Sequence, residues 1–167
     1  MPNASPDPPC SPMRRKVLVF LAQGSGLAAT GLAGIAAHAA QALPRVVMHK
    51  TEGCGCCDGW AEHMRKAGFE VEVHVAPDID RVKDRLGVPA DARSCHTVEV
   101  GDYVVEGHVP AVDVQRLLKE APRAWGLAVP GMPIGSPGMG ELRPGLSFEV
   151  LLISRDGSQR VYSRHEG

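Results

Sequence analysis

Four cysteines and two histidines carry most of the chemistry this sequence can offer. Cys54-Gly55-Cys56-Cys57 sets a C-x-x-C frame, Cys54 to Cys57, with an extra thiol inside it. Behind it Trp60, Ala61, Met64 and Ala67 recur at helical spacing, so the thiols fall at a helix N-terminus. Free N–H groups and the helix dipole favour thiolates there. Thiolates are both nucleophiles and soft-metal ligands, so the placement suits disulfide exchange or metal binding. A stabilising disulfide is not the expectation: adjacent Cys56 and Cys57 make poor partners, and a first helical turn is a reactive location. A structural zinc site usually draws its cysteines from two separated pairs.

Cys95-His96 and His108 can join this cluster only if the fold brings them back to it. Met132 and Met139 sit in a Gly/Pro-rich loop that buries little, and thioethers select Cu(I). The elements that must do the positioning are legible. Arg45–Lys50 reads as a buried strand, Cys56–Ala67 as a helix stopped by Gly68, and Phe69–Val75 as an alternating strand with one buried face. Asp78 caps a short helix to Leu86, closed by Gly87-Val88-Pro89. Thr97–Val100 and Tyr103–Glu106 pair through Gly101-Asp102, and Val112–Glu120 is amphipathic. Residues 122–144 form a Gly/Pro/Met-rich loop, long enough to suggest a function. Ser147–Ile153 and Gln159–Ser163 close the chain as a hairpin through Asp156-Gly157.

The order β-α-β-α-β-β-α, plus a C-terminal β-hairpin, is that of an α/β thioredoxin-like fold. Its redox site lies at the first strand-to-helix junction, where the cysteines stand. Cys95-His96 would take the place of the cis-proline loop of that fold. His108 would sit at the entry to the next helix, facing the same junction. His49, His63, His74 and His165 have strand, helix-surface or terminal contexts and receive no role.

Composition narrows the function classes. Over 167 residues, 18 Lys+Arg stand against 19 Asp+Glu, a formal net charge of −1. No basic excess exists to displace counterions from phosphates, which argues against nucleic acid. Aromatic residues are 4% of the chain, with 19 Gly and 14 Pro, so a loop-rich fold with an aliphatic core is expected. Residues 1–42 read as a signal peptide with an unstructured N-terminal extension. Arg14-Arg15-Lys16 precede an uncharged stretch from Val17 to Ala42 with Ala37-His38-Ala39 and Ala40-Gln41-Ala42 as cleavage sites. The stretch could span a bilayer, but its glycines favour a cleaved signal. Arg14-Arg15 with a Gly-rich stretch hints at twin-arginine export, yet Met13 replaces the usual Ser/Thr, so the general secretory type is favoured. No stable membrane insertion is then expected after cleavage. Cys10 lies upstream and receives no role. Residues 43–167 form the expected single domain, large enough to fold without metal or disulfide.

Several stretches together carry a resemblance. They are G-C-G-C-C-D-G-W (Gly53 to Trp60), L-G-V-P (Leu86 to Pro89), S-C-H-T (Ser94 to Thr97), Y-V-V-E-G-H-V-P (Tyr103 to Pro110) and G-L-A-V-P-G-M-P-I-G-S-P-G-M (Gly126 to Met139). In them the chain resembles the CopG-like periplasmic copper-resistance proteins. The resemblance implies a thioredoxin-like fold and a cysteine-bridged cluster of several copper ions. It implies ligation by Cys54, Cys56, Cys57, Cys95 and His108; Met132, Met139 and His96 match family motifs too. It further implies a periplasmic role in copper handling, with interconversion of Cu(I) and Cu(II), among other copper-handling proteins. One departure is Val98-Glu99-Val100, where an apolar strand is usual and Glu99 is expected to face solvent.

Three readings follow: a copper-binding redox protein, a thiol–disulfide oxidoreductase with Cys54 as nucleophile and Cys57 as resolving thiol, and a structural zinc module. The extra Cys56, and Cys95 in place of the cis-proline, weigh against the second.

Overall fold

The computed structural model describes residues 43–167; the expected signal segment, residues 1–42, lies outside them. Seven strands form one sheet. They are β1 (Val46–Lys50), β2 (Val71–Val75), β3 (His96–Val100), β4 (Tyr103–Glu106), β5 (Gly126–Ala128), β6 (Ser147–Ile153) and β7 (Gln159–Glu166). Three helices interleave: α1 (Gly55–Lys66), α2 (Ile79–Leu86) and α3 (Ala111–Glu120). The sheet order is β2-β1-β3-β4-β5-β6-β7. β1 runs parallel to β2 and antiparallel to β3, and β3 is antiparallel to β4. This first half, with α1 after β1, is the expected thioredoxin-like arrangement.

Local chemistry sets the element ends. Asp78 accepts a hydrogen bond from Arg81 N to start α2, and Gly87 ends it at φ +70°. The core gathers Val46, Met48, Trp60, Met64, Val98, Val105, Val114, Leu117 and Leu127, all essentially unexposed. Among the described residues no helix is long and apolar enough to cross a membrane.

Two expectations need correction. The long loop is not all irregular, because Gly126–Ala128 forms β5, parallel to β4 and antiparallel to β6. Gly126 makes this pairing possible: a Cβ there would overlap the Val104 backbone. β5 thereby joins the C-terminal hairpin to the main sheet. The alternating strand β2 also lacks a well-buried face. It is an edge strand flanked only by β1, and Val73 and Val75 are 37% and 56% exposed.

Candidate metal centre

α1 begins at Gly55 with Cys54 at its N-cap, and no side chain caps the first turn. The first-turn backbone N–H groups of α1 therefore have no side-chain acceptor. Cys57 is fully buried, whereas Cys54 and Cys56 are half-buried. Lys50, at the end of β1, pairs with Asp58 in the first turn of α1 and lies 3.4 Å from Cys54 O. That pair fastens the helix start to the strand.

Cys54 and Cys57 are joined by a disulfide, with Cα atoms 5.3 Å apart, and Cys56 and Cys95 are free. This corrects the expectation against a disulfide. Adjacent Cys56 and Cys57 are indeed not bonded, but residues three apart on a helical turn come within bridging distance. Cys56 Sγ is 3.5 Å from Cys54 Sγ, Cys95 Sγ is 3.5 Å from Cys57 Sγ, and Cys56 and Cys95 are 4.0 Å apart.

The return of the chain before β3 supplies the imidazoles. Cys95 Sγ lies 2.9 Å from His108 Nε2 and 3.3 Å from His96 Nδ1. His108 Nδ1 donates to Pro137 O at 2.7 Å, because a carbonyl can only accept. Neutral His108 thus presents a lone pair at Nε2. Both imidazoles are fully buried, and their rings meet edge-on with centroids 4.9 Å apart. The Trp60 ring packs against His96 at 4.8 Å and its Nε1 donates to Val109 O. His96 Nε2 is buried without a hydrogen-bond partner.

Burial governs the electrostatics. It pushes the Cys95 thiol up to about 12, with the neighbouring Cys56 thiol adding to the effect. It holds His96 well below the usual imidazole range, and the His108 and Lys83 charges act in the same direction. It lowers His108 too, against an opposing contribution from Pro137 O. Burial thus disfavours charge on Cys95 and on both imidazoles.

The Gly/Pro/Met-rich loop reaches this centre through its backbone. Pro137 O meets His108, and Gly138 lies so close to α1 that a Cβ would overlap the Cys56 carbonyl. Of the two candidate thioethers, Met132 is 52% exposed and Met139 is half-buried. The four histidines given no role find partners elsewhere. His49 pairs with Glu99, His74 with Glu72 and His165 with Asp113, and His63 accepts from Ala111 N. Glu99 is half-exposed and also approaches Arg85. A cavity of about 370 Å³ beside Val129, Pro133, Phe148 and Arg164 contains none of the candidate donors.

Sequence reasoning missed a buried support behind the centre. Lys83 Nζ, from α2, lies 2.5 Å from Glu106 Oε1 and donates to Thr97 Oγ1 at 2.9 Å. Glu106 also accepts from Thr97 Oγ1 at 2.7 Å and from Ser94 N at 2.6 Å. Burial raises the Glu106 carboxyl while Lys83 opposes that rise. The four residues bracket Cys95-His96 and precede His108. The one available signal was a lysine in the middle of a short helix with few apolar residues.

Known proteins place these features in context. A family model described as a protein of unknown function, DUF411, matches residues 92–139, which hold Cys95, His96, His108, Met132 and Met139. No curated protein matches the chain. A solved structure of copper resistance protein CopG, form 1, is 41% identical with a TM-score of 0.70, over 75% of this chain and 99% of that one. Form 2 is also 41% identical, with a TM-score of 0.69, over 74% of this chain and 98% of that one.

Proposed function

From the premise that the chain belongs to the CopG copper-resistance family, we propose that it is an exported copper-binding protein that contributes to copper resistance. The observation that carries this reading is the double membership of Cys95. The ligand atoms of Cys54, Cys56, Cys57 and Cys95 lie within 4.8 Å of one another, and so do those of Cys95, His96 and His108. A thiolate can bridge two metal ions, so a shared cysteine suits a multinuclear, cysteine-bridged copper cargo. Thiolates select Cu(I), and imidazole accommodates both oxidation states. The donor set fits: soft sulfurs and imidazole nitrogens converge, with Cys95 Sγ 2.9 Å from His108 Nε2 and 3.3 Å from His96 Nδ1. Met132 and Met139 are proposed as thioether donors at the loop side of the same centre.

The chain's own groups also support redox interconversion. Four thiolates are available only when Cys54–Cys57 is reduced. Closing that dithiol to a disulfide releases two electrons, the number needed to reduce two Cu(II) to Cu(I). Other copper-handling proteins of the periplasm would deliver or receive the ions.

Metal analysis and X-ray absorption on the full chain, purified anaerobically with copper, test the reading. Several sulfur-bound coppers per chain are expected, and Cys57→Ser should lose most of them while keeping its circular dichroism. One tightly held zinc and no copper would overturn it. Export predicts a mature mass beginning at Leu43 or, failing that, Ala40; a mass retaining Val17–Ala39 would indicate an anchor instead.

A second reading, thiol–disulfide oxidoreductase, is favoured by the Cys54–Cys57 disulfide at the start of α1. Insulin reduction by metal-free protein that takes up no copper would select it.

A further inference from the structure

Two thiols remain beside the Cys54–Cys57 bond, and each touches one half of it. Cys56 Sγ lies 3.5 Å from Cys54 Sγ, and Cys95 Sγ lies 3.5 Å from Cys57 Sγ. The second contact is the better equipped. Cys95 Sγ is 2.9 Å from His108 Nε2, and the Pro137 carbonyl holds His108 with that nitrogen as acceptor. His96 Nδ1 stands farther off, at 3.3 Å, and its other nitrogen has nothing to orient it. Nucleophile, base and orienting group are thus all present, with a sulfur electrophile at near-attack distance. Cys57 is fully buried, so a thiol from outside the protein cannot reach its sulfur. Cys95 already does.

We infer that Cys95 attacks Cys57 in an internal thiol–disulfide exchange, with His108 as the base, moving the disulfide from Cys54–Cys57 to Cys57–Cys95. His108 Nε2 takes the Cys95 thiol proton as the Cys95–Cys57 bond forms. The Cys54–Cys57 bond breaks, and its electron pair leaves on Cys54, which receives the proton. One disulfide and two thiols exist before and after, so no oxidant or reductant is consumed. What changes is their position. The starting state frees Cys56 and Cys95; the exchanged state frees Cys54 and Cys56, two half-buried thiols at the start of α1. Such a C-x-C pair can grip a soft cation while buried Cys57 stays oxidised, now bonded to half-buried Cys95. That consequence for copper rests on the function proposed above; the exchange itself does not.

Non-reducing peptide maps of the full chain, freed of metal, oxidised with one equivalent of diamide and quenched in acid, test the exchange. Tryptic cleavage after Lys50 and Arg65 isolates Cys54, Cys56 and Cys57 from the peptide carrying Cys95. Cys54–Cys57 therefore stays within one peptide, whereas Cys57–Cys95 links two. The expected result is a linked pair in wild type that grows at the expense of the internal loop after the diamide is removed, with fragment spectra assigning Cys57; Cys54→Ser, which cannot form the starting bond, supplies the reference spectrum of the linked pair. His108→Ala should slow its appearance roughly 10²-fold. A wild-type map holding only Cys54–Cys57 would overturn the exchange without recourse to any variant. So would linkage of Cys95 to Cys56 instead of Cys57. An unchanged rate in His108→Ala would overturn the role of His108. Copper content of the reduced chain is read separately: no copper with normal exchange sinks the proposed function alone.

Discussion

Two buried polar clusters grow from the same two stretches of chain, and they differ in completeness. His96 and Thr97 are successive residues of β3 and so point to opposite faces of the sheet. On one face Thr97 joins Lys83, Glu106 and Ser94, where cation, carboxylate, hydroxyl and backbone N–H are matched to one another. On the other face His96 joins Cys95 and His108, and its Nε2 has no partner. A matched buried network gains nothing from a ligand and loses heavily when one member is removed. An unmatched one carries a standing cost that a ligand can relieve. The first cluster is built to hold and the second to receive.

The largest test of that contrast removes a holder. Lys83→Ala leaves Glu106 buried without its cation and should destabilise the chain by about 3–5 kcal/mol, read as a shift in the urea midpoint. A loss under about 1 kcal/mol would erase the distinction between the clusters.

A smaller effect comes from the receiving side through pH. Burial lowers His96 and His108, so the unfolded chain takes up protons that the folded chain refuses. Their stabilising contribution is complete above the ordinary imidazole value and is lost progressively as pH falls from about 6.5 towards their lowered folded-state values. Glu106, raised by burial, acts in the opposite sense at lower pH, because the folded form binds its proton first. Metal-free chain should lose about 2 kcal/mol between pH 7.5 and 5.5, measured by urea titration at each pH. A flat profile would mean that the two imidazoles are protonated as readily in the fold as outside it.

The smallest effect sharpens the contrast from outside both clusters. His74, on edge strand β2, pairs with Glu72 at the surface. His74→Ala should alter neither copper content nor the unfolding midpoint measurably, since exposed pairs contribute little. Loss of copper in that variant would show that the receiving region extends to the sheet edge.

The receiving cluster was far more legible in the sequence than the holding one. Cys54, Cys56 and Cys57 are covalent neighbours on one helical turn, so their convergence follows from spacing alone. Cys95-His96 and His108 follow from element order, because the strand after α2 must return beside β1. The state of the thiols did not follow, since whether Cys54 meets Cys57 depends on side-chain rotamers that spacing leaves open. Lys83 was hidden for a different reason. In α2 it reads as one more charge on a polar helix, and only the approach of Glu106 from β4, 23 residues later in the chain, makes it a core residue. β5 escaped because three residues, Gly126–Ala128, show no alternation; their strand character comes from the neighbours on either side.

The carbonyl that orients His108 belongs to the backbone of Pro137, and the surface that meets α1 is the backbone of Gly138. Substituting Pro137 by another residue leaves its carbonyl in place, so amino-acid exchange has little purchase on the protonation pattern of the imidazole. Loop length does have purchase. One residue inserted or deleted between Val129 and Pro137 would carry a different carbonyl, or none, to Nδ1. Lineages of this protein should therefore hold the number of residues in that segment fixed even where side chains other than Met132 and the left-handed glycines Gly131 and Gly135 change.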